Sequence, residues 1–170
     1  MQWLIVFGVV MFVIAPVMWL KPSPRQKRQV GLKACARKQG VIVQMEKPPL
    51  HHFKGMMPAY RWNYAQDAPG PDFVLLRESE ASDALASFHA GWRWRIAPLR
   101  PLPDDAETAL KALLERLPRD ALVIESSARA LTLWWWESQG AERFEHYAQS
   151  FAALRQMLGG HADHLAPPQR

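Results

Sequence analysis

Asp104-Asp-Ala-Glu-Thr-Ala-Leu-Lys-Ala-Leu-Leu-Glu-Arg-Leu117 is followed by Leu122-Val-Ile-Glu125 and Ala130-Leu-Thr-Leu-Trp-Trp-Trp136, and these three pieces in order decide the fold. Leu110, Leu113, Leu114 and Leu117 recur at i, i+3, i+4 and i+7, one apolar face of a helix. Asp104 and Glu107 make a box-like N-cap and Pro118 closes the element. The two short apolar runs that follow read as a hairpin. Ala141 to Leu158 returns to the helical period, with Phe144, Tyr147, Ala148, Phe151, Leu154 and Leu158 inward and Gly159 as its stop.

Upstream, short alternating runs are punctuated by Pro and Gly. Val41 to Met45 is a strand ended by Pro48 and Pro49, and Leu50 to Pro58 is a loop. Ala59 to Tyr64 places Tyr60, Trp62 and Tyr64 on one face, and Phe73 to Leu76 follows the turn Asp67 to Pro71. Glu80 to His89 reads equally as a short helix or a loop. Gly91 to Ile96 sets Trp92, Trp94 and Ile96 against Arg93 and Arg95, the pattern of a strand on a core. Strands first, then helix, hairpin and helix, predict an α+β domain over residues 41–159: a mainly antiparallel sheet with two or three covering helices. Residues 160–170 read as a disordered tail.

Trp3 to Leu20 runs eighteen residues without a charge. At about 1.5 Å per helical residue that is about 27 Å, near the ~30 Å of a hydrocarbon core, which predicts an uncleaved N-terminal transmembrane anchor over residues 1–20. Trp3 and Trp19 stand at its two ends, suited to the interfaces, and Lys21 is placed to reach the headgroups. Lys21, Arg25, Lys27, Arg28, Lys33, Arg37 and Lys38 are the seven basic residues before Met45, and no acidic residue precedes Glu46. By the retention of positive charge, Lys21, Arg25, Lys27 and Arg28 set the topology: N-terminus out, C-terminal domain in the cytoplasm of a bacterial inner membrane. Ser23 and Pro24 start a basic juxtamembrane helix that ends at Gly40. Such a helix lies on anionic lipid or docks on a partner's acidic surface.

The whole chain carries a formal +5, but residues 46–170 hold 14 basic against 16 acidic residues, a net −2. The basicity belongs to the junction, and no nucleic-acid reading module accompanies it, so specific nucleic-acid binding is not expected. One cysteine, Cys35, excludes an intramolecular disulfide. Lys33, Arg37 and Lys38 beside it are of the sign that lowers a thiol pKa, yet a small residue on the buried side of a helix explains it without chemistry. His51 and His52 are adjacent, His89 and His146 isolated, and His161 and His164 lie in the tail, so no metal and no cofactor is expected. Glu125 and Glu137 read as solvent-facing hairpin charges. The triplet Trp134, Trp135, Trp136 cannot place every ring on one side of a strand. At least one indole faces away from the core, covered by another element or offered to a partner, and the triplet is the candidate interaction surface.

The stretch Trp19-Leu-Lys-Pro-Ser-Pro-Arg-Gln-Lys-Arg28 resembles the junction of the YajC-type accessory subunit of the bacterial preprotein translocase, where a span runs into an Arg-Pro and Lys-Arg motif. Lys33 to Val43 looks like that family's basic helix leading into a strand. The likeness covers about 25 of the 170 residues, lacks the family's Gly-rich turn, and otherwise the chain is similar to single-pass inner-membrane proteins of proteobacteria. The resemblance implies a non-enzymatic accessory or scaffold protein whose partners are the lipid bilayer and another inner-membrane protein. The alternative is a membrane-tethered small-molecule or lipid-headgroup binding module with Tyr60, Trp62, Trp92 and Trp94 around an apolar pocket. An enzyme would draw on His51, His52 and His89.

Overall fold

The computed structural model describes residues 3–9, 11 and 23–163. Among the described residues, helical residues near the N-terminus are followed by α1 (Pro24–Lys38), α2 (Asp104–Arg116) and α3 (Ala141–Leu158), and by seven strands: β1 (Ile42–Glu46), β2 (Met57–Asn63), β3 (Phe73–Arg77), β4 (Ser87–His89), β5 (Trp92–Ile96), β6 (Ala121–Ser126) and β7 (Ala130–Trp135). The strands form one sheet in the order β1-β2-β7-β6-β3-β5-β4, and every pair is antiparallel.

The transmembrane expectation is corrected here. Among the described residues no helix is long and apolar enough to cross a membrane. Residues 3–9 and 11 are helical, while residue 10 and residues 12–22, including Trp19 and Lys21, lie outside the described residues. The transmembrane helix in the fold class, the signal anchor, and the single-pass inner-membrane localisation with its N-out orientation all fall with it. The tail from His164 onward also lies outside the described residues.

Alternation along each strand divides the sheet into two faces. Tyr60 and Trp62 of β2, paired with Leu133 and Leu131 of β7, look toward the helices, where Trp62 stacks on Phe151 at 4.5 Å and Tyr60 meets Phe144 at 4.9 Å. Trp135 stacks on the same Phe144. The inward residues of α3 read from its period, Phe144 to Leu158, are the ones buried. α2 packs beside α3 and buries Ala106, Leu110, Leu113 and Leu114. The opposite face carries Ala59, Val74, Leu76, Val123, Thr132 and Trp134, and the β1–β2 loop crosses it with Leu50 buried and the Pro49 carbonyl accepting from Arg95. Two apolar faces, each covered, make the sheet the middle layer.

Two local expectations change. Glu80 to His89 is neither plain loop nor α-helix: a 3₁₀ turn (Glu78–Glu80) leads to β4, which pairs with β5. Ala90 and Gly91 at φ 48° and 76° form the two-residue turn between them, a geometry whose twist suits a hairpin. At the start of α2 the Asp104–Glu107 box does not form, because Pro103 is the N-cap and Asp104 is already helical. Asp105 instead accepts from the Ala106 N–H at 2.8 Å, and three carboxylates in the first turn oppose the helix dipole. Gly70 is required by contact, since a Cβ there would lie 2.3 Å from the Tyr64 ring.

Candidate docking surface

α1 is built as a cationic ridge. Ser23 and Gln26 close a reciprocal capping box and Pro24 occupies the first turn, so the helix starts firmly despite having no acidic residue there. Arg25, Lys27, Arg28, Lys33, Arg37 and Lys38 are its six basic residues, all exposed, with no carboxylate among them. Leu32 and Ala36 are fully buried and seat the helix against α3 and β1. Arg28 donates from Nη1 to the Ser138 carbonyl at 2.9 Å, tying the helix to the chain just beyond β7. Of the residues read as setting topology, Arg25, Lys27 and Arg28 therefore share one rigid helix, while Trp3 is exposed in the N-terminal helical residues.

The tryptophan triplet divides three ways. Trp135 is 1% exposed on the helix face, Trp134 is 2% exposed on the opposite face, and Trp136 is 41% exposed. Burial removes Trp134 and Trp135 from any accessible surface and leaves Trp136, whose ring lies 6.0 Å from that of Phe53. Pairing of Ala59 with Trp134, and of Glu46 with Met57, brings the end of β7, the start of β2 and the end of β1 to one edge of the molecule. Met56, 63% exposed, stands just before β2 at this edge, and Met45, 49% exposed, lies near the end of β1 on its helix face. Since Arg28 reaches Ser138, the ridge adjoins the segment that carries Trp136. Sequence periodicity missed Met45 and Met56, because their place depends on strand register.

The other candidates do not converge. Tyr60, Trp62 and Trp92 are buried in side-chain packing and Trp94 packs between Phe73 and Phe88, so the aromatic quartet is filled core and lines no cavity. His51 and His52 contact each other edge to face at 4.7 Å beside an open cleft of about 580 Å³, whereas His89 pairs with Glu115 at 2.7 Å on β4. Among the described residues no group of three or more His, Cys, Asp or Glu is arranged to hold a metal. Burial, then the charge of Glu145, pushes the Cys35 thiol above its ordinary range, outweighing Lys38. Less thiolate is present than its basic neighbours alone would give.

Glu125 and Glu137 are not the solvent-facing pair the sequence suggests. Glu137 is 5% exposed at φ 59° and accepts from the Tyr60 hydroxyl at 2.8 Å. Glu125 is half-buried on the opposite face of the sheet; burial raises its carboxyl above the usual range, with the Trp134 indole and Arg61 pulling the other way. The Trp134 N–H nevertheless makes no hydrogen bond of ordinary geometry. On the same face Arg61 pairs with Glu46.

No family model matches the chain, and no curated protein matches it. The YajC resemblance gains nothing from these comparisons. Among solved structures the chain is similar to the mycobacterial trehalose monomycolate transport factor A, TtfA, at 10% identity over 82% of this chain and 97% of that chain, with a TM-score of 0.45. A superposition of that quality carries no weight for function.

Proposed function

We propose that this chain is a non-enzymatic accessory module that docks on an acidic surface of a larger protein assembly through α1 and the adjoining Trp136 patch. The carrying observation is the ridge itself: six exposed cations and no carboxylate on a helix held to the core by Leu32 and Ala36. Lys33 and Arg37 stand at i and i+4, where like charges cost a helix roughly 0.2–0.5 kcal/mol per pair. An acidic partner offsets that repulsion, steers encounter, and leaves Trp136 as an aromatic anchor of the kind that dominates interfaces. The preprotein translocase is the assembly that the Trp19–Arg28 resemblance brings forward. A small-molecule or lipid-headgroup module is the weaker reading, because Tyr60, Trp62 and Trp94 are packed against Phe144, Phe151, Phe73 and Phe88 and Trp92 is buried with Arg77 over its ring.

The test is affinity capture with the tagged full-length chain from extracts of its native cell, beside a variant carrying Arg25→Glu, Lys27→Glu, Lys33→Glu and Arg37→Glu. Arg28 is spared because it bonds Ser138. A defined set of proteins retained by the parent, lost by the variant and released as salt screens the ridge supports the reading. The same set on both baits refutes it.

A further inference from the structure

β1 and β4 end the sheet, and they differ in how their outer edges are protected. β4 is three residues long with an irregular register against β5, too short to template another chain. β1 pairs regularly with β2 over all five residues, from Ile42 opposite Arg61 to Glu46 opposite Met57. Among the described residues, no backbone hydrogen bond joins residues 42–46 to anything outside the sheet. Every second N–H and C=O of an antiparallel edge strand points away from its neighbour, so β1 presents a row of unmade ladder bonds. Edges of this kind are ordinarily blunted by charge, Pro or a bulge; within β1 only Glu46 at its end is charged, Lys47 and Pro48 follow it, and Ile42 and Met45 are exposed apolar side chains.

We infer that the free edge of β1 takes an added strand from the docking partner, and that this strand is acidic at alternate positions, on the side facing α1. This deepens the docking reading above and rests on it. Geometry sets the two sides. Ile42, Gln44 and Glu46 share a face with Arg61, opposite the helices, while Val43 and Met45 pair with Tyr60 and Pro58 on the helix face, where α1 packs beside β1. Alternate side chains of an added strand therefore stand next to Ile42 on one face and next to the cationic ridge on the other.

Charge selects against a second copy of this chain as the occupant. Antiparallel pairing of β1 with its twin places the two-fold axis perpendicular to the sheet, so both α1 helices lie side by side on the same face. Two helices with six cations each and no carboxylate on either are then brought side by side. A strand with Glu or Asp at alternate positions meets that ridge with the opposite sign.

The test uses the purified full-length chain and an end-capped eight-residue peptide of alternating Glu and Val. The expected result is binding that weakens at least tenfold when alternate peptide amides are N-methylated, because methylation removes ladder donors without touching charge. Amide exchange over residues 42–46 slows on binding, and a Lys-Val peptide does not bind. Equal binding of the N-methylated peptide, or unchanged exchange in β1, overturns strand addition while leaving charge-driven docking intact. Protection of β1 by self-association in the absence of peptide overturns the acidic occupant in favour of a second copy. Because the N-methylated peptide leaves the protein unaltered, no outcome depends on a variant that fails to fold. Loss of the docking reading itself appears separately, as indifference of the captured proteins to the charge-reversed α1.

Discussion

The Tyr60 hydroxyl donates to Oε1 of Glu137 across 2.8 Å, joining the middle of β2 to the second residue beyond the end of β7 inside the core. Glu137 is buried in a left-handed conformation at φ 59°, so the bond holds a strained residue as well as a buried acid. Tyr60→Phe removes the donor and leaves the acceptor desolvated, at a cost of about 1–3 kcal/mol. Urea unfolding of the two single variants and of Tyr60→Phe/Glu137→Gln measures it. The double variant is expected to lose less than the sum of the singles, and strict additivity would show that the two residues are not coupled.

Burial, followed by the neighbouring charge and hydrogen bond of Glu137, moves the Tyr60 phenol well above its ordinary range, and burial pushes Tyr64 up to about 12. Both folded values exceed the unfolded value of about 10, so the folded state binds more protons in alkali. Their contribution is fully present below about pH 10 and is lost as pH rises toward the folded values. Tyrosinate absorbance at 295 nm for these two residues should appear together with loss of the near-ultraviolet circular dichroism of the tryptophans. Ionisation near pH 10 with the tertiary signal intact would contradict this.

Arg77 is a structural cation. Its Nε donates to the Ala121 carbonyl at 2.8 Å, Nη2 donates to the Pro118 carbonyl at 2.9 Å, and the guanidinium lies 4.6 Å from the centre of the Trp92 ring. It thereby joins β3 to the turn between α2 and β6. Arg77→Ala should cost about 2–4 kcal/mol, from two carbonyls losing their donor and a lost cation–π contact. Arg77→Lys should recover less than half of that, since one ammonium cannot reproduce the planar fork. Full recovery by lysine in thermal unfolding would reduce the role to charge alone.

Glu125 gives the opposite pH signature from an ion-paired carboxylate. Its folded pKa is raised, chiefly by burial, so the neutral form favours folding; that contribution is full below about pH 4 and is lost as pH rises through the folded value. Glu125→Gln should therefore raise the melting temperature at pH 7 by about 1–3 °C, with the gain vanishing below about pH 4. A melting temperature lowered at pH 7 would mean that Arg61 and Arg95 stabilise the charged form more than burial opposes it.

Much of the fold was legible because its signals are local. The leucine spacing of α2, the inward residues of α3, and Ser23 with Pro24 at the start of α1 all depend on neighbours within one or two helical turns. Tyr60 and Trp62 share the face that alternation assigns them. β4 escaped notice because three residues carry too little alternation, and the Ala90–Gly91 turn places a non-glycine residue at positive φ. Of the docking surface, the cations of α1 were legible and the apolar patch was not. Met45, Met56 and Trp136 look alike in sequence whether they are buried or exposed.

By itself the sequence determined the period of each element and the segregation of positive charge before Glu46, since both are properties of adjacent residues. Only the tertiary structure decided that β1 lies at the edge, that Trp134 and Trp135 are buried while Trp136 is not, and that Glu137 meets Tyr60. Those outcomes follow from contacts between residues tens of positions apart, where strand order and register set which groups lose their water, and no local pattern encodes that choice.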